Sequence, residues 1–260
     1  MTKFKKYQGL LLAAFYSSVV TIWCVSYINS SYENKIVDNI IKKTITSQMS
    51  AEQQVLALMK QTVNLAENRA DLLASAPADT IRQLYFSSID TDLIESRGIC
   101  GSYSRILARL LYRAGYEIRI AQIQAAPGTE VTHIALETKL GNQWVLLDPR
   151  YNLVYRKPDG TLASLKDVSR DWPYYRKQTP ENYDRKTRYA FYYYTNWSKF
   201  PVLIPLIKKI KQWTDRDMGN FSIHTYSLNR HEAIFYFLTV FLILSGVLSL
   251  VILRRKKTAE

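Results

Sequence analysis

The chain has 260 residues, 47% of them hydrophobic and 22% charged, with a formal net charge of +13. That apolar fraction excludes a disordered chain, 9 Gly and 8 Pro exclude a collagen-like or low-complexity one, and two Cys exclude a disulfide scaffold. The length allows one large domain, or a modest domain with attachments.

Residues 7–29 carry no charge, and neither do residues 233–253, which are built from Ile, Phe, Leu and Val. At about 1.5 Å per residue either run can cross a hydrocarbon layer of about 30 Å. Lys3, Lys5 and Lys6 precede the first run, and Arg254, Arg255, Lys256 and Lys257 follow the second. Flanking Lys and Arg prefer the cytoplasmic side. The sequence therefore predicts two spans of the inner (cytoplasmic) membrane, both termini cytoplasmic and the central segment extracytoplasmic. A retained anchor is expected in place of a cleaved signal peptide, because the first run is long and no small-x-small site follows it. Trp23 and Tyr27 suit its interfacial end.

Five segments follow in order: 1–30, a tail and the first span; 31–49, a membrane-proximal helix with Ile36, Ile40, Ile41 and Ile45 at helical spacing; 50–155, a core; 156–230, a basic aromatic extension; and 231–260, the second span with its basic tail. Ser50-Ala51-Glu52-Gln53 reads as a capping box. Behind it Val55, Met59, Val63, Ala66, Ala70 and Leu73 form one buried helix face ending near Pro77, a core stripe and not a cofactor site. Residues 80–96 are ambiguous. Residues 100–114 make a second helix with Ile106, Leu107, Leu110 and Leu111 inward and Gly115 as its left-handed terminator. Residues 117–123 alternate as a strand, Pro127-Gly128 turns, and 131–140 with 143–148 read as a hairpin around Gly141-Asn142. Helices followed by consecutive strands make an α+β fold.

Charge shifts after the hairpin. Residues 31–149 hold 12 Lys/Arg against 13 Asp/Glu, whereas 150–216 hold 15 against 6, and ten of the 26 residues from 172 to 197 are aromatic. That cluster could stack on sugars, pack on a partner or line a membrane interface. Phe200-Pro201-Val202-Leu203-Ile204-Pro205-Leu206-Ile207, followed by Lys208, Lys209, Lys211 and Trp213, reads either as a membrane-surface segment or as an ordinary half-buried helix. An exported location argues against nucleic acid as the partner of this charge.

With Cys24 inside the first span, Cys100 is the one thiol of the exported part, so it is either an intermolecular bridge or a reactive nucleophile. A thiol nucleophile needs a lowered pKa, an imidazole and a group orienting that imidazole. Cys100 sits at a helix start, where the dipole favours a thiolate, between Gly98 and Gly101, which let the backbone bend and a substrate approach. A two-residue turn at Gly141-Asn142 pairs positions whose numbers sum to 283. Ala135 then faces Asp148, and His133 is the diagonal neighbour of Asp148 on the same face. A slip of one residue would separate the two.

Arg97-Gly98-Ile99-Cys100-Gly101, the helix through Leu107-Ala108-Arg109-Leu110-Leu111-Tyr112-Arg113-Ala114-Gly115, the strand Glu117-Ile118-Arg119, Thr132-His133-Ile134-Ala135 and Trp144-Val145-Leu146-Leu147-Asp148-Pro149 together resemble the transglutaminase-like superfamily, as a membrane-anchored bacterial member. The resemblance covers about 50–155. It implies a transglutaminase-like, papain-like core between the two transmembrane helices, with Cys100 as nucleophile, His133 as general base and acid, and Asp148 as orienting group. Gln83 and Tyr85 are candidates for an oxyanion donor. The implied reaction passes through a thioester at Cys100, resolved by water or by an amine, with hydrolysis the expected outcome on a peptide or amide substrate. The alternative is a non-catalytic subunit using this fold as an interaction platform in an envelope complex, such as one handling polysaccharide. An inner-membrane or envelope protein partner and the lipid bilayer are the expected contacts. No cofactor and no metal are expected, since His224 and His231 lack ligand spacing.

Overall fold

The computed structural model describes residues 2–73, 100–184, 187–195, 197 and 228–257, with 205, 209, 212, 213, 222, 224 and 225 between them. It comprises two compact units, one formed by Met1–Lys35 with Asn229–Glu260 and one by Ile36–Leu228. The fold is mixed helix and sheet, as the sequence predicts.

The first unit is helical. Helix α1 (Thr2–Thr44) and helix α6 (Arg230–Lys257) each contain a stretch long and apolar enough to span a membrane, with mean hydropathy of 1.8 and 2.0. Leu10, Leu11, Phe15, Phe237 and Leu244 are all more than half exposed, so these side chains have no protein core to enter. A surface of that kind is matched by hydrocarbon and not by water. Trp23 does more than mark an interface. Its ring stacks on Phe235 at 5.3 Å and its Nε1 donates to Thr239 Oγ1 at 2.8 Å, joining the two helices. Asn229 caps α6 by accepting from the Glu232 amide at 2.9 Å.

The second unit opens with the last turns of α1, where Val37 is fully buried. Helix α2 (Ala51–Leu73) starts on the expected capping box: the Gln53 amide donates to Ser50 Oγ at 3.3 Å, and the Ser50 amide donates to Gln53 Oε1 at 2.8 Å. Its buried face includes Val55, Met59 and Ala66, joined by Leu58 and Thr62, while Val63 is only half-buried. Residues 80–96 and the expected helix end at Pro77 lie outside the described residues. Helix α3 (Cys100–Arg113) buries Ile106, Leu107, Leu110 and Leu111 completely. Gly115, at φ 92°, ends it in the left-handed conformation, with the Tyr116 amide donating to Leu111 O and the Gly115 amide to Tyr112 O. These two bonds form a Schellman motif.

The sheet contains β1 (Ile118–Gln124), β2 (Val131–Leu140), β3 (Gln143–Asp148), β4 (Leu153–Val154) and β5 (Phe191–Tyr193), in the order β4-β3-β2-β1-β5 with antiparallel neighbours. The β2–β3 register, Leu136↔Leu147 to Leu140↔Gln143, satisfies the sum of 283 at every pair. Gly141 at φ 59° takes the first central position of the turn, where a primed hairpin turn needs glycine.

The two faces of the sheet bury different chemistry. Ile118, Ile120, Leu136, Val145 and Leu147 join α2 and α3 in an aliphatic core. Ala121, Ile123, Ala135 and Leu146 face an aromatic core formed with Tyr155, Tyr175, Tyr183, Tyr189 and Tyr194. The short helices α4 (Leu165–Arg170) and α5 (Trp172–Tyr175) belong to this second layer. The aromatic extension thus supplies β5 at one sheet edge and the cover of one sheet face. Of the expected surface segment, Pro205, Lys209 and Trp213 are exposed, and the rest lies outside the described residues.

Candidate thiol active site

Strand β3 pairs with β2 only as far as Leu136↔Leu147, which leaves the β2 edge open at Ile134. Helix α3 docks there by its first turn. Ser104, one turn on from Cys100, donates its Oγ to Ile134 O at 2.9 Å, and the Ile134 amide lies close enough to the Cys100 thiol to favour its ionisation. The first turns of α3 are thereby held against β2. Ser104 is fully buried. Its role was not legible from spacing alone.

The neighbouring residue, His133, points to the aromatic face with an exposure of 3%. Its Nε2 lies 2.8 Å from Asp148 Oδ2, and the ring stands close enough to the Cys100 sulfur to favour its ionisation. With Nε2 taken by the carboxylate, Nδ1 is the nitrogen left for sulfur. The three residues singled out in the sequence are therefore brought together in one row. Cys100 is half-buried, while His133 and Asp148 are buried.

Electrostatics follow from this order. Burial opposes ionisation of the Cys100 thiol, but the hydrogen bond and charge of His133 outweigh it and hold the thiol below its ordinary range. Burial likewise opposes protonation of His133, but the charge and hydrogen bond of Asp148, followed by those of Cys100, raise it to about 10. Both directions favour a thiolate–imidazolium pair.

Asp148 receives a second donor. Tyr189, completely buried, donates its hydroxyl to the same Oδ2 at 2.5 Å, and its ring stands edge-on to the His133 ring at 6.1 Å. Tyr151 lies over the imidazole at 5.7 Å and rests on Tyr183 at 4.5 Å. The chain reaches Tyr151 through a tight turn after Asp148, closed by Asn152 at φ 48°, which folds β4 back on β3. Among the described residues, Asp148 Oδ1 and the hydroxyls of Tyr155 and Tyr183 have no hydrogen-bond partner.

At Gly101 an added Cβ would meet Ile134 Cδ1 at 3.5 Å, an ordinary van der Waals contact. Gly98, Gln83 and Tyr85 lie outside the described residues. His224 contacts Gln122 at 2.5 Å, and His231 lies 3.7 Å from Glu33. Compared with known protein families, curated proteins and solved structures, the chain matches none.

Proposed function

We propose that the chain is a membrane-anchored, transglutaminase-like thiol enzyme that acts on amide or peptide bonds through an acyl-enzyme at Cys100. The observation that carries this reading is the continuous row from the Cys100 sulfur through His133 to Asp148, with the thiol lowered and the imidazole raised. In the reaction the thiolate attacks the carbonyl carbon. The resulting oxyanion needs donors, and the first-turn amides of α3, which lack intrahelical partners, lie on the residues that carry and follow the sulfur. The C–N bond breaks as His133 passes its proton to the leaving nitrogen. The thioester then yields to water or an amine, whose proton His133 takes back.

The test is the alkylation rate of Cys100 by iodoacetamide in the full-length protein in detergent micelles, read by the mass of its peptide. At pH 6 it should exceed that of a short cysteine peptide by about tenfold or more, because the gain in thiolate fraction is partly offset by lower intrinsic nucleophilicity. A rate equal to or below that of the peptide would replace this reading with a non-catalytic platform.

The same reading places 36–228 outside the cytoplasm, on the charges flanking the two apolar helices. A reporter active only outside the cytoplasm should work when inserted at the exposed turn ending in Gly160 and fail when fused after Glu260. Activity at Glu260 would sink the two-span orientation.

A further inference from the structure

We infer that Tyr189, contributed by the basic aromatic extension, is a positioning residue that sets how tightly His133 holds its proton, through the Asp148 oxygen that the two residues share. The inference rests on the thiol-enzyme reading and adds to it a residue outside the row itself.

The geometry is specific. Asp148 has no solvent exposure, and its Oδ1 has no partner among the described residues. Among the described residues, the hydrogen bonding to this carboxylate therefore falls on Oδ2, from His133 Nε2 at 2.8 Å and Tyr189 Oη at 2.5 Å. A phenol donating to a carboxylate draws off part of its charge, which the imidazolium would otherwise take alone. Tyr189 thereby weakens the grip of Asp148 on the His133 proton, the proton that must reach the leaving nitrogen.

Among the described residues, the titratable groups facing the His133–Asp148 pair are Cys100 from α3, Tyr151 and Tyr155 from the chain after β3, and Tyr183 and Tyr189 from the extension. Burial, followed by neighbouring negative charge that includes Asp148, holds the phenols of Tyr155, Tyr183 and Tyr189 above their usual range. Tyr189 is therefore a neutral donor throughout the working range. It is the one phenol of the three with a hydrogen bond of ordinary geometry to the carboxylate.

The readout is the pH profile of Cys100 alkylation in the full-length protein, where a lower step reports thiolate formation and an upper step reports loss of the imidazolium proton. Tyr189→Phe should move the upper step upward by about one unit, a roughly tenfold tighter hold on the proton. Tyr175→Phe removes the phenol of another tyrosine of the same aromatic core, one with no hydrogen bond to Asp148, and should leave both steps in place. Loosened packing alone would act oppositely, moving the thiol toward an ordinary cysteine. If Tyr189→Phe does not fold, 3-fluorotyrosine at 189 keeps the ring and donates more strongly, and should move the upper step down. An upper step that stays, or moves against these directions, beside a two-step wild-type profile overturns the role of Tyr189 alone. A wild-type profile with one ordinary thiol step overturns the thiol-enzyme reading, and this inference with it.

Discussion

His133→Ala should slow alkylation of Cys100 at pH 6 by about 10- to 100-fold and abolish any acyl transfer. The size follows from two opposing effects. An ordinary thiol, with a pKa near 8.5, is only about 0.3% ionised at pH 6, whereas a thiolate paired with imidazolium is largely ionised. The more basic thiolate regained in the variant is a better nucleophile per ion, which returns part of the loss. In this site the variant should fall below even an ordinary thiol, because burial, the largest influence on Cys100, would raise its pKa with no imidazolium to oppose it. Asp148→Asn should be milder. An amide oxygen can still accept from Nε2, but the leading influence favouring protonated His133 disappears. The pair also links stability to pH. A histidine raised from 6.5 to about 10 on folding contributes stability that is fully present below about pH 6.5. That contribution is lost as pH rises toward 10, so the stability deficit of His133→Ala should shrink across that window. Chemical denaturation at pH 6 and pH 9.5 measures it. A deficit that grows with pH would contradict a protonated, buried His133.

How much of this was legible in the sequence depended on the range of the interaction. The two-residue turn at Gly141-Asn142 fixes the register by local geometry, so counting alone placed His133 and Asp148 on one face. Gly115 and the Ser50 capping box are equally local. Cys100 could be set at a helix start, but its approach to the open edge of β2 at Ile134 needs the early end of β3 pairing and the Ser104 bond, 30 residues apart in the chain. The aromatic extension was the least legible part. Composition marked it as sticky and basic without saying against what it packs. Alternation in β2 and β3 showed that one sheet face carries His133, Ala135 and Asp148, yet it could not reveal that Tyr189, 41 residues beyond Asp148, covers that face.

The largest stability loss should come from Arg119→Met, at about 3–5 kcal/mol, the usual cost of leaving a buried charge without its partner. Arg119 faces Glu137 directly across β1 and β2, and its Nε donates to Glu137 Oε2 at 2.7 Å. Glu137 is completely buried, and its other donors are the Tyr194 hydroxyl and the Leu165 amide, the latter at 2.8 Å. The Arg119 guanidinium also lies 4.1 Å from the Trp144 ring centroid and 4.3 Å from that of Tyr194. One carboxylate thus ties α4 and the residue after β5 to the face of β2 that holds His133 four positions earlier. With Met at 119 the carboxylate keeps two donors but loses its countercharge. The double variant Arg119→Met with Glu137→Gln removes the stranded charge, so it should recover a large part of the loss, giving a coupling well outside additivity. Thermal unfolding of the three variants at pH 7 measures these terms. Additive single changes would mean that packing of the arginine between its two rings, and not its charge, holds this layer on the sheet.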